Sequence, residues 1–126
     1  MMKGLAFHFF LVAALCAALG MAWGIQMSAS HDHTLSPAHG HLNLLGWVSM
    51  GMFGVYYAVT PHAAATRSAR VHFWMALGGV ALIAPGIALA IAEVTEALAV
   101  AGSVLSIAAF LVFLSVVFRN GIGARA

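Results

Sequence analysis

The chain has 126 residues, 63% of them hydrophobic and 6% charged, with a formal net charge of +2. A soluble domain carries about a quarter charged residues, so this composition describes an integral membrane protein with short loops. The arginines are scattered at segment ends without a basic run, which excludes nucleic acid as a partner, and the single cysteine forms no CxxCH motif, which excludes covalent c-type heme attachment.

Four uncharged runs follow in chain order, at about Gly4–Gly24, Pro37–Thr60, Val71–Ala92 and Ala97–Phe118. Each is long enough to cross a hydrocarbon core of about 30 Å as a helix. The fold expected is all-α: an integral membrane four-helix bundle, up-down-up-down, forming one domain over residues 1–126.

The first run carries His8 and Cys16 and is preceded by Lys3. Lys3, the apolar run and the small residues Ser28-Ala29-Ser30 have the order of a secretory signal, but the run is longer than a signal core. An uncleaved helix is therefore expected, with Cys16 as a small packing residue. A polar loop, Gln26–Ser36, contains His31, Asp32 and His33.

The second run opens on Ser36-Pro37, a good helix start with Ser as N-cap and Pro at the first helical position. His39 and His41 fall in its first turns. Residues two apart on a helix point about 200° from one another, so the two rings face different neighbours. His39 shares a stripe with Asn43, Gly46, Met50 and Tyr57, and His41 shares one with Leu45, Val48, Met52 and Val55. Gly46, Gly51 and Gly54 leave room for a flat macrocycle or for a closely packed helix.

A basic linker, Pro61–Arg70, leads to the third run, which places His72 at its start and Pro85-Gly86 near its end, where a kink is expected. An acidic turn, Glu93–Glu96, leads to the fourth run, where Gly102, Ser103 and Ser106 allow close helix approach in lipid. In a four-span arrangement Lys3, Arg67, Arg70, Arg119 and Arg125 fall on one side, and Asp32, Glu93 and Glu96 on the other. The positive-inside rule then puts both termini in the cytoplasm and the chain in a bacterial-type inner membrane.

Histidine inside a membrane is costly and marks a functional site by default; it is also the commonest axial ligand of heme. The stretch Ala38-His39-Gly40-His41-Leu42, then Gly46, then Phe53-Gly54-Val55-Tyr56-Tyr57 ending at Pro61, resembles a helix of the heme-copper oxidase catalytic subunit, in the flavour of the nitric oxide reductase and C-type oxidase branch. His41-Leu42-Asn43-Leu44-Leu45 also resembles the His-x-Asn-Leu-Leu pattern of that family's other low-spin heme helix. The likeness covers about a quarter of the chain and implies non-covalent heme b. It assigns His39 to a high-spin heme iron and His41 to a low-spin one, with Asn43 and Gly46 beside them. The family subunit has about twelve helices in three similar four-helix arcs. One arc here implies a homotrimer, with His39 of one protomer and His41 of the next holding a heme between them. The family's copper-binding His-His pair and embedded glutamate do not occur, so no complete oxygen- or nitric-oxide-reducing site is visible.

The remaining histidines give further candidates. His31 and His33, with Asp32, form a possible copper or zinc site near the outer face, or simply a polar loop. His72 and His8 lie toward the cytoplasmic side, either as ligands of a second heme or, for His72, as an interface residue beside a tryptophan belt. The function expected is electron transfer or diatomic gas binding by a b-type heme protein with a respiratory or redox partner. The alternatives are an outer-face copper or zinc protein and a cofactor-free assembly subunit of a respiratory oxidase.

Overall fold

The computed structural model describes residues 4–125, so Lys3 lies outside the described residues. Four helices are long and apolar enough to cross a membrane: α1 (Leu5–Ser30), α2 (Ser36–Val59), α4 (Arg67–Ile91) and α5 (Ala97–Asn120). A single helical turn, α3 (Pro61–Ala64), joins α2 to α4. No strand is present among the described residues.

The helix ends depart from the apolar runs for local reasons. α1 continues past Gly24 to Ser30 and stops where His31 takes a left-handed conformation at φ 56°, a region in which histidine is enriched among non-glycine residues. α4 begins at Arg67, four residues before the apolar run. Thr66 caps it: the Ala69 amide donates to Thr66 Oγ1 at 3.2 Å, and the threonine hydroxyl donates onward to the Ala63 carbonyl at 2.7 Å. α4 runs unbroken through Pro85, which lies on its exposed side.

α2 changes character along its length. After one and a half α-turns it winds as a π-helix over Leu42–Ser49 and returns to α geometry at Met50. Such wide turns shift the backbone hydrogen-bond pattern and cluster at functional sites. Side chains supply donors around the change. His41 Nδ1 donates to the Pro37 carbonyl at 2.8 Å, Asn43 Nδ2 to the His39 carbonyl at 2.9 Å and Ser49 Oγ to the Leu44 carbonyl at 2.9 Å. Such side-chain bonds to nearby carbonyls offer the backbone additional partners beside the helical ladder.

The helices pair as α1 with α2 and α4 with α5. Both seams are built on missing side chains. In the first, Gly20 receives Asn43, and Gly46 receives Cys16. In the second, a Cβ on Gly86 would stand 2.5 Å from the Ala99 amide nitrogen, and one on Gly102 would stand 2.7 Å from that of Ile83. Backbone therefore meets backbone, the close approach that small residues permit in lipid.

All four long helices converge on an aromatic cluster toward the end where α3 lies. Phe9 of α1, Phe53 and Tyr57 of α2, Phe73 of α4, and Phe110 and Phe113 of α5 meet there. The chain end is tied to the same region. Tyr56 Oη donates to the Gly121 carbonyl at 2.6 Å, His62 Nε2 to the Asn120 carbonyl at 3.0 Å, and the Gly123 amide to Thr60 Oγ1 at 3.0 Å.

Candidate functional site

His39 and His41 lie two residues apart in the first turns of α2, and the structure gives them different surroundings. His39 is half-buried against α1, His41 exposed. The stripe running through Asn43, Gly46, Met50 and Tyr57 is buried or half-buried, while Val48, Met52 and Val55 are exposed.

His39 is spent within the chain. Its Nε2–H donates to the Gly20 carbonyl at 2.9 Å. The Asn43 amide nitrogen lies against the same ring, 3.1 Å from Nε2 and 3.5 Å from Nδ1. With Nε2 already a donor, the proton-free Nδ1 is the atom that can accept from Asn43. Trp23 meets the ring edge-on with centroids 5.8 Å apart, and a Cβ on Gly24 would stand 3.4 Å from Nε2. Gly20 supplies the carbonyl to which the imidazole donates, and its missing side chain leaves the space in which Asn43 lies against the ring. This role for α1 is missed when the second run is read alone; Gly20, a side-chain-free position within the first apolar run, is the signal that could have found it.

His41 is arranged oppositely. Its Nδ1–H donates to the Pro37 carbonyl, which leaves Nε2 with its lone pair on the exposed side. A ring whose Nδ1–H is held by a backbone carbonyl, with Nε2 free, has the tautomer and orientation of a metal-ligating histidine. The donor chemistry at His41 therefore fits a heme iron, and that at His39 does not unless its bonds to α1 are broken. Gly46 and Asn43, expected beside a cofactor, face α1: Cys16 fills the space at Gly46, and Asn43 fills that at Gly20.

Among the described residues no three His, Cys, Asp or Glu side chains converge on one point. His31 and His33 are exposed in the loop. Asp32 turns back on its own chain, accepting from the Thr34 hydroxyl at 2.6 Å and the Thr34 amide at 3.0 Å. These bonds, the hydroxyl's first, hold its carboxyl below the usual aspartate range. The carboxylate is thus oriented by Thr34 and not by a ligand histidine.

His8 and His72 do not come together. His8 is exposed, and its Nδ1–H donates to the Gly4 carbonyl at 2.8 Å, an arrangement like that of His41. His72 is fully buried, 0% exposed, and so is not an interface residue beside the exposed Trp74. Its Nδ1 lies 2.9 Å from Tyr57 Oη, and its Nε2 has no hydrogen-bond partner among the described residues. Phe53, Phe9 and Phe113 close around the ring at centroid distances of 4.4, 5.1 and 5.1 Å. That packing leaves no face of His72 open to a macrocycle.

No protein family, curated protein or solved structure matches this chain. Its site must therefore be judged on its own geometry. A surface groove of about 530 Å³ between the α3-side ends of α1 and α2 is lined by Phe7, Phe10, Gly54, Val55 and Pro61 among others, none a histidine. Of the sequence-expected residues, His41 alone combines exposure, an oriented ring and placement on the motif-bearing helix.

Proposed function

We propose that the chain is a b-type heme protein of a bacterial-type inner membrane, acting in electron transfer, with His41 as the residue that would hold the heme through Nε2. The observation that carries this reading is the His41 hydrogen bond to the Pro37 carbonyl, which leaves Nε2 of an exposed ring with a free lone pair. The likeness of the surrounding His-Gly-His stretch to a heme-copper oxidase helix adds to it. The helix order is taken as up-down-up-down with both termini cytoplasmic, which collects the arginines inside and sets His41 near the outer face. A redox partner on that side is then within reach.

When bound, heme supplies a one-electron couple at iron. The chain's own residues do the rest. Pro37 fixes the tautomer of His41 through its carbonyl, and hydrogen bonding at Nδ1 raises the basicity of Nε2. His39, through its bond to the Gly20 carbonyl, and Asn43, packed at Gly20, brace α2 against α1, so that the ligand helix is held at a defined height. The α-to-π change begins at Leu42, directly after the ligand, and sets the direction in which the helix continues.

The test is the visible spectrum of detergent-purified protein from heme-supplemented cells, oxidised, reduced, and reduced with carbon monoxide. A Soret band with b-type reduced bands, lost in His41→Ala, is the expected result. A colourless protein overturns the reading and returns the weight to copper or zinc handling or to assembly of a respiratory complex.

A further inference from the structure

We infer that the site is completed by a second copy of this chain, with His41 from each of two copies as the axial ligands of one heme. The inference rests on the heme reading above and deepens it by naming the partner. Axial ligands occupy opposite faces of a macrocycle. A group on the same helix turn, or in the short loop leading into it, stands on the face that His41 already occupies. The sixth ligand must therefore come from across the macrocycle.

Within the protomer His39 cannot supply it, because both ring nitrogens are engaged between Gly20 and Asn43 and the ring is packed on Trp23. The same engagement argues against a trimer in which His39 of one copy and His41 of the next share a heme. That ring needs two different free histidines per chain at this level, and the helix offers one. A site built from one free residue per chain closes with identical ligands only about a twofold axis, the isologous arrangement of a symmetric dimer.

The surface beside His41 suits the contact. A Cβ on Gly40 would meet no atom within 4 Å, so the neighbouring backbone is open. Leu44 and Val48, on the following turns, are 57% and 48% exposed and offer apolar area to the macrocycle. Six-coordinate bis-histidine iron follows, which suits electron transfer and leaves no position for a gas.

The experiment co-expresses two differently tagged full-length copies, one wild type and one His41→Met, and isolates the doubly tagged species in mild detergent. The expected optical and magnetic spectra show histidine–methionine ligation in that mixed species, which neither parent shows. Wild type is expected to hold one heme per two chains, with a reduced spectrum unmoved by carbon monoxide. His39→Ala keeps the heme; His41→Ala loses it while retaining its helical circular dichroism. A mixed spectrum equal to the sum of the parents, or one heme per chain on a monomer, overturns the inference and leaves the heme reading standing; loss of heme with His39→Ala or His8→Ala instead of His41→Ala overturns the inference and the assignment of His41 as the ligand. Absence of a Soret band in wild type overturns both the inference and the heme reading.

Discussion

Tyr57 Oη lies 2.9 Å from His72 Nδ1, joining α2 to α4 where the four long helices meet. Among the described residues Nδ1 is the one acceptor within reach of that hydroxyl, so the phenol donates and the imidazole carries its own proton on Nε2. That N–H is sealed among aromatic rings, so the pair is half-satisfied and sensitive to loss of either member.

Tyr57→Phe strands His72 Nδ1 in a dry core and is expected to cost about 1–3 kcal/mol. Tyr57→Phe with His72→Phe removes both polar partners at similar shape, so the double variant should melt closer to wild type than Tyr57→Phe alone. Thermal unfolding in detergent, followed by helical circular dichroism, checks both.

His39→Ala deletes the bond to Gly20 and the packing on Trp23. A loss of about 1–2 kcal/mol is expected, in the range of one hydrogen bond plus some packing. His41→Ala removes an exposed ring and should leave the melting temperature of heme-free protein near that of wild type. Equal losses from the two variants would contradict the division of roles between them.

At Gly46 an added methyl would stand 2.7 Å from Cys16 Sγ and 2.8 Å from its Cβ. Gly46→Ala is therefore expected to destabilise by about 1–3 kcal/mol through overpacking. Adding Cys16→Gly should recover much of the loss, because the methyl then enters the space the cysteine vacates. The same thermal melts read the recovery.

Acid should loosen the loop between α1 and α2 at Asp32. Its carboxyl is held below the ordinary aspartate range by Thr34, so the turn is more stable where the carboxylate is ionised. That contribution is fully present above the ordinary range and disappears as pH falls through the lowered value. Amide exchange at Thr34 should accelerate on acidification, and Asp32→Asn should abolish that pH dependence.

The four spans are legible because hydrocarbon demands long apolar helices, and hydropathy alone finds them. Their ends are less so: Thr66 starts α4 among charged residues that a hydropathy window discards. The 200° separation of His39 and His41 predicts two environments, and one ring indeed faces α1 while the other is exposed. Which ring does which depends on the Gly20 carbonyl and on the space Gly20 leaves for Asn43, about twenty residues from His39 in sequence, and periodicity in one helix carries no such information. Burial of His72 was equally hidden, since its neighbour Trp74 is exposed and the local pattern looks like a membrane-interface belt. The π segment is flanked by side-chain bonds from Asn43 and Ser49 to the His39 and Leu44 carbonyls, pairings that composition does not encode.

The backbone contacts between α4 and α5 act as a register key. Gly86 admits Ala99, and Gly102 admits Ile83. A slide by one turn would carry bulkier neighbours such as Leu82 or Leu98 into slots shaped for a glycine. This pair can tilt as a unit but cannot ratchet, so a conformational change in the bundle has to be taken up between it and the α1–α2 pair.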